Sequence, residues 1–129
     1  MKLFFDEDVG STVASRFKES APEFEVSFVN PGQEVPKETE DVDWIRKVAA
    51  SGYTAISHNR GQLRVEAEMQ AIREHKLGII YIPNDLTVEQ KVALLLRRRK
   101  WLAAVCQRKG RPFAFWVSKT ARVTELHIR

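Results

Sequence analysis

Short apolar runs alternate along the chain with segments of helical periodicity, and this alternation constrains the fold more than any other feature. The runs at residues 1–5, 53–57 and 77–82 are apolar on both strand faces. Such strands need cover on both sides, so we expect a mainly parallel sheet sandwiched by helices, of the α/β class. Further strands are predicted at residues 24–28, 113–117 and, at an edge, 123–128.

The segments between these runs carry helix signals. Asp41 is suited to the N-cap of a helix that ends near Ser51, with Gly52 at the position that terminates helices. The pair Thr87 and Gln90 forms a capping-box pattern that opens the longest predicted helix, which runs to about Val105. Other helices are predicted after the first strand and at about residues 63–75, and a loop at residues 30–40.

The length of 129 residues fits one domain, residues 1–129, with a single hydrophobic core. The lone Cys106 excludes a disulfide framework and a cysteine-based zinc site, which indicates a reducing compartment. The first residues lack a signal-peptide core, and no apolar run approaches membrane-spanning length. We therefore expect a cytoplasmic protein without membrane association.

Charge is distributed unevenly along the chain. Residues 91–129 hold eleven Lys/Arg against one acid, whereas residues 1–90 have a net balance of −6. This asymmetry suits a protein that holds a cation among its acids and a polyanion such as RNA along its bases. The alternative is a basic, solvated helix and tail without a binding role.

Polar residues follow two of the predicted strands, at the edge where open α/β sheets bind ligands. Asp6, Glu7 and Asp8 come directly after the first strand, and Asn59 follows the strand at residues 53–57. Carboxylates brought together repel one another, and Mg²⁺ or Mn²⁺ relieves that repulsion. Asp6 is therefore a predicted metal ligand, while Asp8 is either a ligand or the N-cap of the next helix.

The residues around these acids resemble the PIN-like domains related to VapC-type toxins. The segments that carry the resemblance are KLFFDEDVGSTVASRF, the pair Asp43-Trp44 that opens a helix, and AISHNRG after Gly52. The resemblance implies a parallel sheet sandwiched by helices and a metal-dependent endoribonuclease that uses Mg²⁺ or Mn²⁺. It also implies that Asp6 is the first metal ligand and that Asp43, the helix acid, is a further catalytic residue and metal ligand. An alternative role for Asp43 is to complement the helix dipole.

The chain departs from the family pattern at one catalytic position. Asn59 stands where the family has its next acid, and Asn supplies neither charge nor a base for water. Asp8, where the family has Asn, is a candidate to restore that charge. A catalytically weakened module that binds RNA or a protein partner is therefore the alternative function. The resemblance also implies a toxin with an antitoxin partner, and a homodimer.

Basic residues are the candidate RNA contacts. Arg60 lies beside Asn59, where it would meet a phosphate oxygen, or it is simply a surface residue of a polar turn. The run Arg97, Arg98, Arg99 and Lys100 is expected to form a collar around a helix, because neighbouring residues step about 100° around the axis.

Aromatic residues near the basic segment have two interpretations. Trp101, Phe113, Phe115 and Trp116 have the chemistry to stack on unpaired bases, whereas for Phe113 and Phe115 the pattern favours core packing.

A second enzyme class shares the first motif. An apolar strand followed by Asp6-Glu7-Asp8 also resembles the first motif of haloacid-dehalogenase-like phosphatases. That family needs a pair of acids after a later strand, and this chain has only Asp85 there. The phosphatase is therefore the less favoured alternative.

Overall fold

A computed structural model describes residues 1–28 and 41–128 of the chain, with Asp41 described for its backbone only. Its centre is a six-stranded sheet in the order β2-β1-β3-β4-β5-β6, in which β1 to β5 are parallel and β6 is antiparallel. The predicted mainly parallel sheet is confirmed. The strands are β1 Lys2–Phe5, β2 Glu25–Phe28, β3 Thr54–Ser57, β4 Gly78–Tyr81, β5 Phe113–Val117 and β6 Val123–Glu125.

Helices cover both faces of this sheet. They are α1 Ser11–Ser20, α2 Asp41–Ala50, α3 Glu66–Glu74, α4 Val88–Arg97 and α5 Arg99–Cys106. One hydrophobic cluster joins α1, α4 and α5 to one face, and a second joins α2 and α3 to the other. Successive strand residues belong to opposite clusters: Phe5 packs in the first and Phe4 in the second. Because both faces of the strands are buried, their sequences are continuously apolar.

Local signals place several element boundaries where the sequence predicts them. Gly52 has a φ of 79°, a left-handed conformation that glycine adopts without a Cβ penalty, and it follows the end of α2. The Thr87 hydroxyl accepts a bond from the Gln90 N–H at 3.1 Å, and the Gln90 side chain accepts one from the Thr87 N–H at 2.9 Å. The predicted capping box is therefore confirmed.

Two predicted helices differ from the observed ones. The longest breaks at Arg98, whose φ of −104° leaves the helical range and whose guanidinium donates to the Ala121 carbonyl at 2.5 Å. The helix predicted at residues 63–75 is preceded by a 3₁₀ turn, Arg60–Arg64, before α3 begins. In that turn the Gln62 side chain is buried and accepts a bond from the Tyr81 hydroxyl at 3.1 Å. Both places carry tertiary hydrogen bonds that periodicity does not encode.

The predicted loop at residues 30–40 lies outside the described residues. Among the residues that are described, no helix has both the length and the apolar character that crossing a membrane requires. The free Cys106 is half-buried, and burial raises the pKa of its thiol.

Gly78 on β4 is expected to be intolerant of any side chain. Its register partner on β5 is Phe113, and a Cβ at position 78 would overlap the Phe113 ring. We expect Gly78→Ala to lower the free energy of unfolding by about 3 kcal/mol, because overpacking a buried site forces the ring or the strand to move.

Urea unfolding of Gly78→Ala beside Gly110→Ala measures this effect. Gly110 is exposed, and its added Cβ would make an ordinary contact with Arg108 at 3.6 Å. The control is expected to change stability by less than about 0.5 kcal/mol. Equal stabilities for the two variants would contradict the packing assigned to Phe113.

Candidate active site

Asp6 lies at the carboxyl edge of the sheet, between the ends of β1 and β3. It follows the buried Phe5, and its backbone N–H donates to the Ile56 carbonyl at 3.0 Å, which extends the pairing of the two strands by one residue. Its side chain is 7 % exposed and accepts a hydrogen bond from the Val9 N–H at 3.1 Å. The buried Ser57 hydroxyl lies near enough to this carboxylate to lower its pKa. The predicted first metal ligand is therefore held rigidly.

The electrostatics of Asp6 are unusual for an aspartate. Burial, with a smaller contribution from the negative charge of Asp8, raises the pKa of Asp6 to about 6. The Ser57 hydroxyl and the Val9 N–H oppose this rise without cancelling it. A buried carboxylate with a raised pKa gains much from a nearby cation, since the cation favours the ionised form.

Asp8 is exposed and lies within electrostatic reach of Asp6. The N-cap of α1 is Gly10, and no side chain caps that helix end. The alternative interpretation of Asp8 as an N-cap is therefore wrong, because the helix starts later than the sequence pattern indicates. Its role as a metal ligand stays a prediction.

The other predicted catalytic side chains lie at the same edge but are solvent-exposed. Asp43, in the first turn of α2, forms an ion pair with Arg46 at 3.9 Å. The Asn59 backbone N–H donates to the Ser57 hydroxyl at 3.1 Å, while the Asn59 side chain is exposed. Across the described ranges, no three or more His, Cys, Asp and Glu side chains are grouped to hold a metal ion. The structure thus does not assemble Asp6, Asp8 and Asp43 into one ligand set.

His58 and Lys91 extend the site toward α4. His58 follows Ser57, and both of its ring nitrogens are inaccessible to solvent and have no hydrogen-bond partner. Burial, and then the positive charge of Lys91, lowers the pKa of His58 to about 4, against an opposing effect of Asp8. Lys91, in the first turn of α4, is only 8 % exposed.

The sequence analysis missed Lys91, although a signal was present. This lysine stands at helical spacing within the apolar stripe that includes Val88, Val92 and Leu95. A lysine in such a stripe either extends its ammonium group to solvent along the apolar surface or is buried together with it.

Arg60 stacks on an aromatic ring at this edge. Its guanidinium lies 4.0 Å from the centre of the Trp116 ring, and the two side chains border a cleft of about 530 Å³ that Pro83 and Asn84 also line. Arg60 is therefore anchored by a cation–π contact near the end of β3. Its contact with nucleic acid stays a prediction.

The basic collar contacts two different parts of the fold. Arg99 forms an ion pair with Glu23, which comes just before the start of β2, so it is near where the strands begin. Arg98 donates to the Ala121 carbonyl in the turn after β5, whereas Arg97 and Lys100 are exposed. The RNA contact of the collar stays a prediction.

The aromatic residues of the basic segment are mainly structural. Phe113 and Phe115 are buried in the hydrophobic core, as the favoured interpretation predicts. Trp101 is half-buried and packs edge-on against Phe115, with ring centres 5.2 Å apart. Of this group, Trp116 is the aromatic residue that borders the cleft near Arg60.

The comparison with known proteins agrees with this architecture. A family model described as a PIN like domain matches residues 1–84, about two thirds of the chain, and these include Asp6, Asp43 and Asn59. No curated protein and no solved structure matches the chain significantly. The later Asp85, which a phosphatase would need as part of an acidic pair, is exposed and paired with Lys119. With the parallel sheet, its helical layers and the match to residues 1–84, this chain belongs to the family of PIN-like domains.

Proposed function

We propose that this protein is an endoribonuclease that requires Mg²⁺ or Mn²⁺. The observation that carries the proposal is the buried Asp6 at the carboxyl edge of a PIN-like sheet, because members of this family generally act as nucleases. An aspartate with a pKa raised by burial is costly to keep ionised without a cation, so it is more readily explained by a binding role than by stability. RNA is the substrate that the resemblance implies.

Asp6 and Asp8 are the residues that would hold the cation. A protein usually supplies one or two carboxylates to a magnesium ion, because waters and substrate phosphates provide the remaining ligands. Two carboxylates are therefore enough for such a site. Asp43 does not belong to this minimal pair, because its exposed carboxylate faces Arg46. When bound, the cation supplies a polarised phosphoryl oxygen and a water of lowered pKa.

The surrounding side chains have separate proposed tasks. The Val9 N–H orients the Asp6 carboxylate, and the nearby Ser57 hydroxyl favours its ionised form. Arg60, anchored on Trp116, meets a phosphate oxygen as negative charge grows during cleavage. Asn59 offers a neutral amide oxygen beside Ser57 and does not deprotonate water.

A cleavage assay on labelled single-stranded RNA, combined with Mn²⁺ calorimetry on the same preparation, tests the proposal. We expect cleavage with Mg²⁺ or Mn²⁺, none with excess EDTA, and a heat of Mn²⁺ binding that disappears in Asp6→Asn. Metal-independent cleavage that persists in Asp6→Asn would identify a contaminating nuclease. No heat of binding and no cleavage by the wild-type protein would refute the metal mechanism.

A module that binds RNA without cutting it is the second candidate. It is favoured by Asn59 in place of an acid and by the lack of a three-acid group among the residues described. The same assay separates the two functions, because a binding module retards the RNA on a gel but leaves its length unchanged.

We also propose that the protein is the toxin of a toxin–antitoxin pair and that it forms a homodimer. Expression in a host cell is expected to arrest growth, and Asp6→Asn is expected to relieve that arrest. Growth at the wild-type rate with full expression of the active protein would contradict the toxin role.

A further inference from the structure

Arg60 and Trp116 form a stack whose cation has no acidic partner. The Arg60 guanidinium lies 4.0 Å from the centre of the Trp116 ring, and the arginine is exposed while the ring is half-buried. No carboxylate lies within 4.0 Å of the Arg60 side chain among the residues that the structure describes. The ring therefore orders the guanidinium plane, and the N–H groups at its rim stay available to an anion.

The stack borders a cleft that is open to solvent. The cleft has a volume of about 530 Å³, within the usual range for ligand sites. Its walls follow three parallel strands, with Arg60 after β3, residues 83–85 after β4 and residues 118–120 after β5. The Asp85 carboxylate in this wall is paired with Lys119 and does not neutralise Arg60. The cleft thus combines an aromatic surface with unpaired positive charge.

A second cleft continues from the first and shares Arg60 with it. It has a volume of about 540 Å³, and Arg64, Leu126 and His127 also line it. Arg64 is exposed and, like Arg60, has no carboxylate within 4.0 Å among the described side chains. The two clefts therefore form a path with two unpaired arginines, which a flexible polyanion can follow.

Arg60 extends between the proposed metal site and the Trp116 ring. It follows β3, the neighbour of β1, and its guanidinium reaches a ring on β5, two strands further along the sheet. Asp6 follows β1, so β5 lies about 14 Å from it along the edge at the usual strand spacing. An RNA strand that runs along this edge meets Asp6, Arg60 and Trp116 in turn.

We propose that the Arg60–Trp116 stack binds one unpaired base of the RNA and so selects single-stranded substrates. This inference rests on the proposed function and narrows its substrate class. The base lies against the stack inside the first cleft, while Arg60 keeps its proposed contact with a phosphate oxygen. A base within a duplex is covered on both faces by its neighbours and cannot reach the stack. Trp116 lies outside residues 1–84, so the site is not carried over from the family match.

Binding of a labelled single-stranded RNA in excess EDTA tests the stack, because metal-dependent cleavage is then absent. Trp116→Leu keeps an apolar side chain but removes the ring, and we expect affinity to fall about tenfold, as for one lost base stack. The slope of log affinity against log salt is expected to stay within about half a unit of wild type, since stacking releases no counterions. Arg60→Met is instead expected to make the slope about one unit shallower.

Trp101→Leu is the matched control for this substitution. Trp101 is also half-buried, but it packs against Phe115 in the cluster on the opposite face of the sheet from Trp116. We expect the control to bind single-stranded RNA within about twofold of wild type. Binding of a duplex of the same sequence is expected to be equally insensitive to Trp116→Leu. An equal loss in both leucine variants, or on the duplex, would contradict base stacking at Trp116.

Trp116→Phe provides a second readout in a variant that keeps an aromatic ring. The chain has three tryptophans, Trp44, Trp101 and Trp116. A base stacked near an indole quenches its emission, so RNA is expected to quench the fluorescence of wild type and of Trp101→Phe. Trp116→Phe is expected to bind within about threefold of wild type and to lose this quenching.

The outcomes separate this inference from the proposed function. Wild-type affinity of Trp116→Leu for single-stranded RNA, or unchanged quenching in Trp116→Phe, would overturn the stacking site. If metal-dependent cleavage continued in that case, the proposed function would stand without this inference. RNA binding that depends on Trp116 in a protein that does not cleave would support the stacking site and remove only the nuclease activity.

Discussion

Asp6→Asn is expected to abolish RNA cleavage and, at the same time, to make the metal-free protein more stable at pH 7.5. The folded state raises the pKa of Asp6 from 3.8 to about 6, so keeping this carboxylate ionised at neutral pH costs about 3 kcal/mol. Asparagine has nearly the same shape and still accepts the Val9 N–H, but it carries no charge. We expect the free energy of unfolding to rise by up to about 3 kcal/mol and cleavage to fall by at least about 100-fold.

Urea unfolding in EDTA at pH 7.5 measures the stability part of this prediction. Asp43→Asn is the control for stability, because its carboxylate is exposed and its ion pair with Arg46 is long, at 3.9 Å. A change within about 0.5 kcal/mol is expected for the control. An Asp6→Asn protein that is less stable than wild type, or that still cleaves RNA, would contradict the role given to the buried carboxylate.

Added Mn²⁺ is expected to reverse the order of stability. Binding at a hundred times the dissociation constant stabilises the folded wild-type protein by about 2.7 kcal/mol. The Asp6→Asn protein lacks the charged ligand and is expected to gain little. The same shift measured on both proteins would place the metal elsewhere.

The second large effect is a pair of opposing pH dependences of stability that partly cancel in the wild-type protein. Asp6 binds its proton more tightly in the folded state, so its contribution to stability falls as the pH rises from about 4 to about 6. His58 has a folded pKa of about 4, below its ordinary 6.5, so the folded state binds this proton less tightly. Its contribution rises with pH between about 4 and 6.5.

Replacing either Asp6 or His58 is expected to reveal the pH dependence of stability that the other residue causes. Between pH 4 and 6.5, we expect Asp6→Asn to gain stability as the pH rises and His58→Asn to lose it. The Asp6 slope amounts to about 3 kcal/mol over its window. The His58 slope is expected to be about 1–2 kcal/mol, because the residue as a whole is only partly buried, which limits the effect of desolvation and then that of Lys91.

Urea midpoints at several pH values between 4 and 7 provide the measurement, with His75→Asn as the matched control. His75 is exposed at the end of α3, and its replacement is expected to leave the wild-type profile unchanged. Parallel profiles for wild type, Asp6→Asn and His58→Asn would show that neither group titrates differently in the folded state.

The predictable part of the site is the part that follows the strands directly. Asp6 and Ser57 end up together because β1 and β3 are parallel neighbours, and side chains that follow parallel strands emerge at one edge. Asp43 was predictable as a residue of this edge, but its pairing with Arg46 was not, because the direction of an exposed side chain depends on local competition between partners. The ion pair of Arg99 with Glu23 was likewise not predictable, because it joins residues far apart in the sequence.

The sequence alone determined the α/β class, the positions of the strands and the acids at their ends. These features are local: apolar runs, a capping box and Gly52 each act within a few residues. Only the tertiary structure decided that Lys91 is buried, that its charge affects His58, and that Asp6 is desolvated enough to shift its pKa. Burial and electrostatic interaction depend on distances between segments far apart in the chain, and the packing of α4 against the sheet sets those distances.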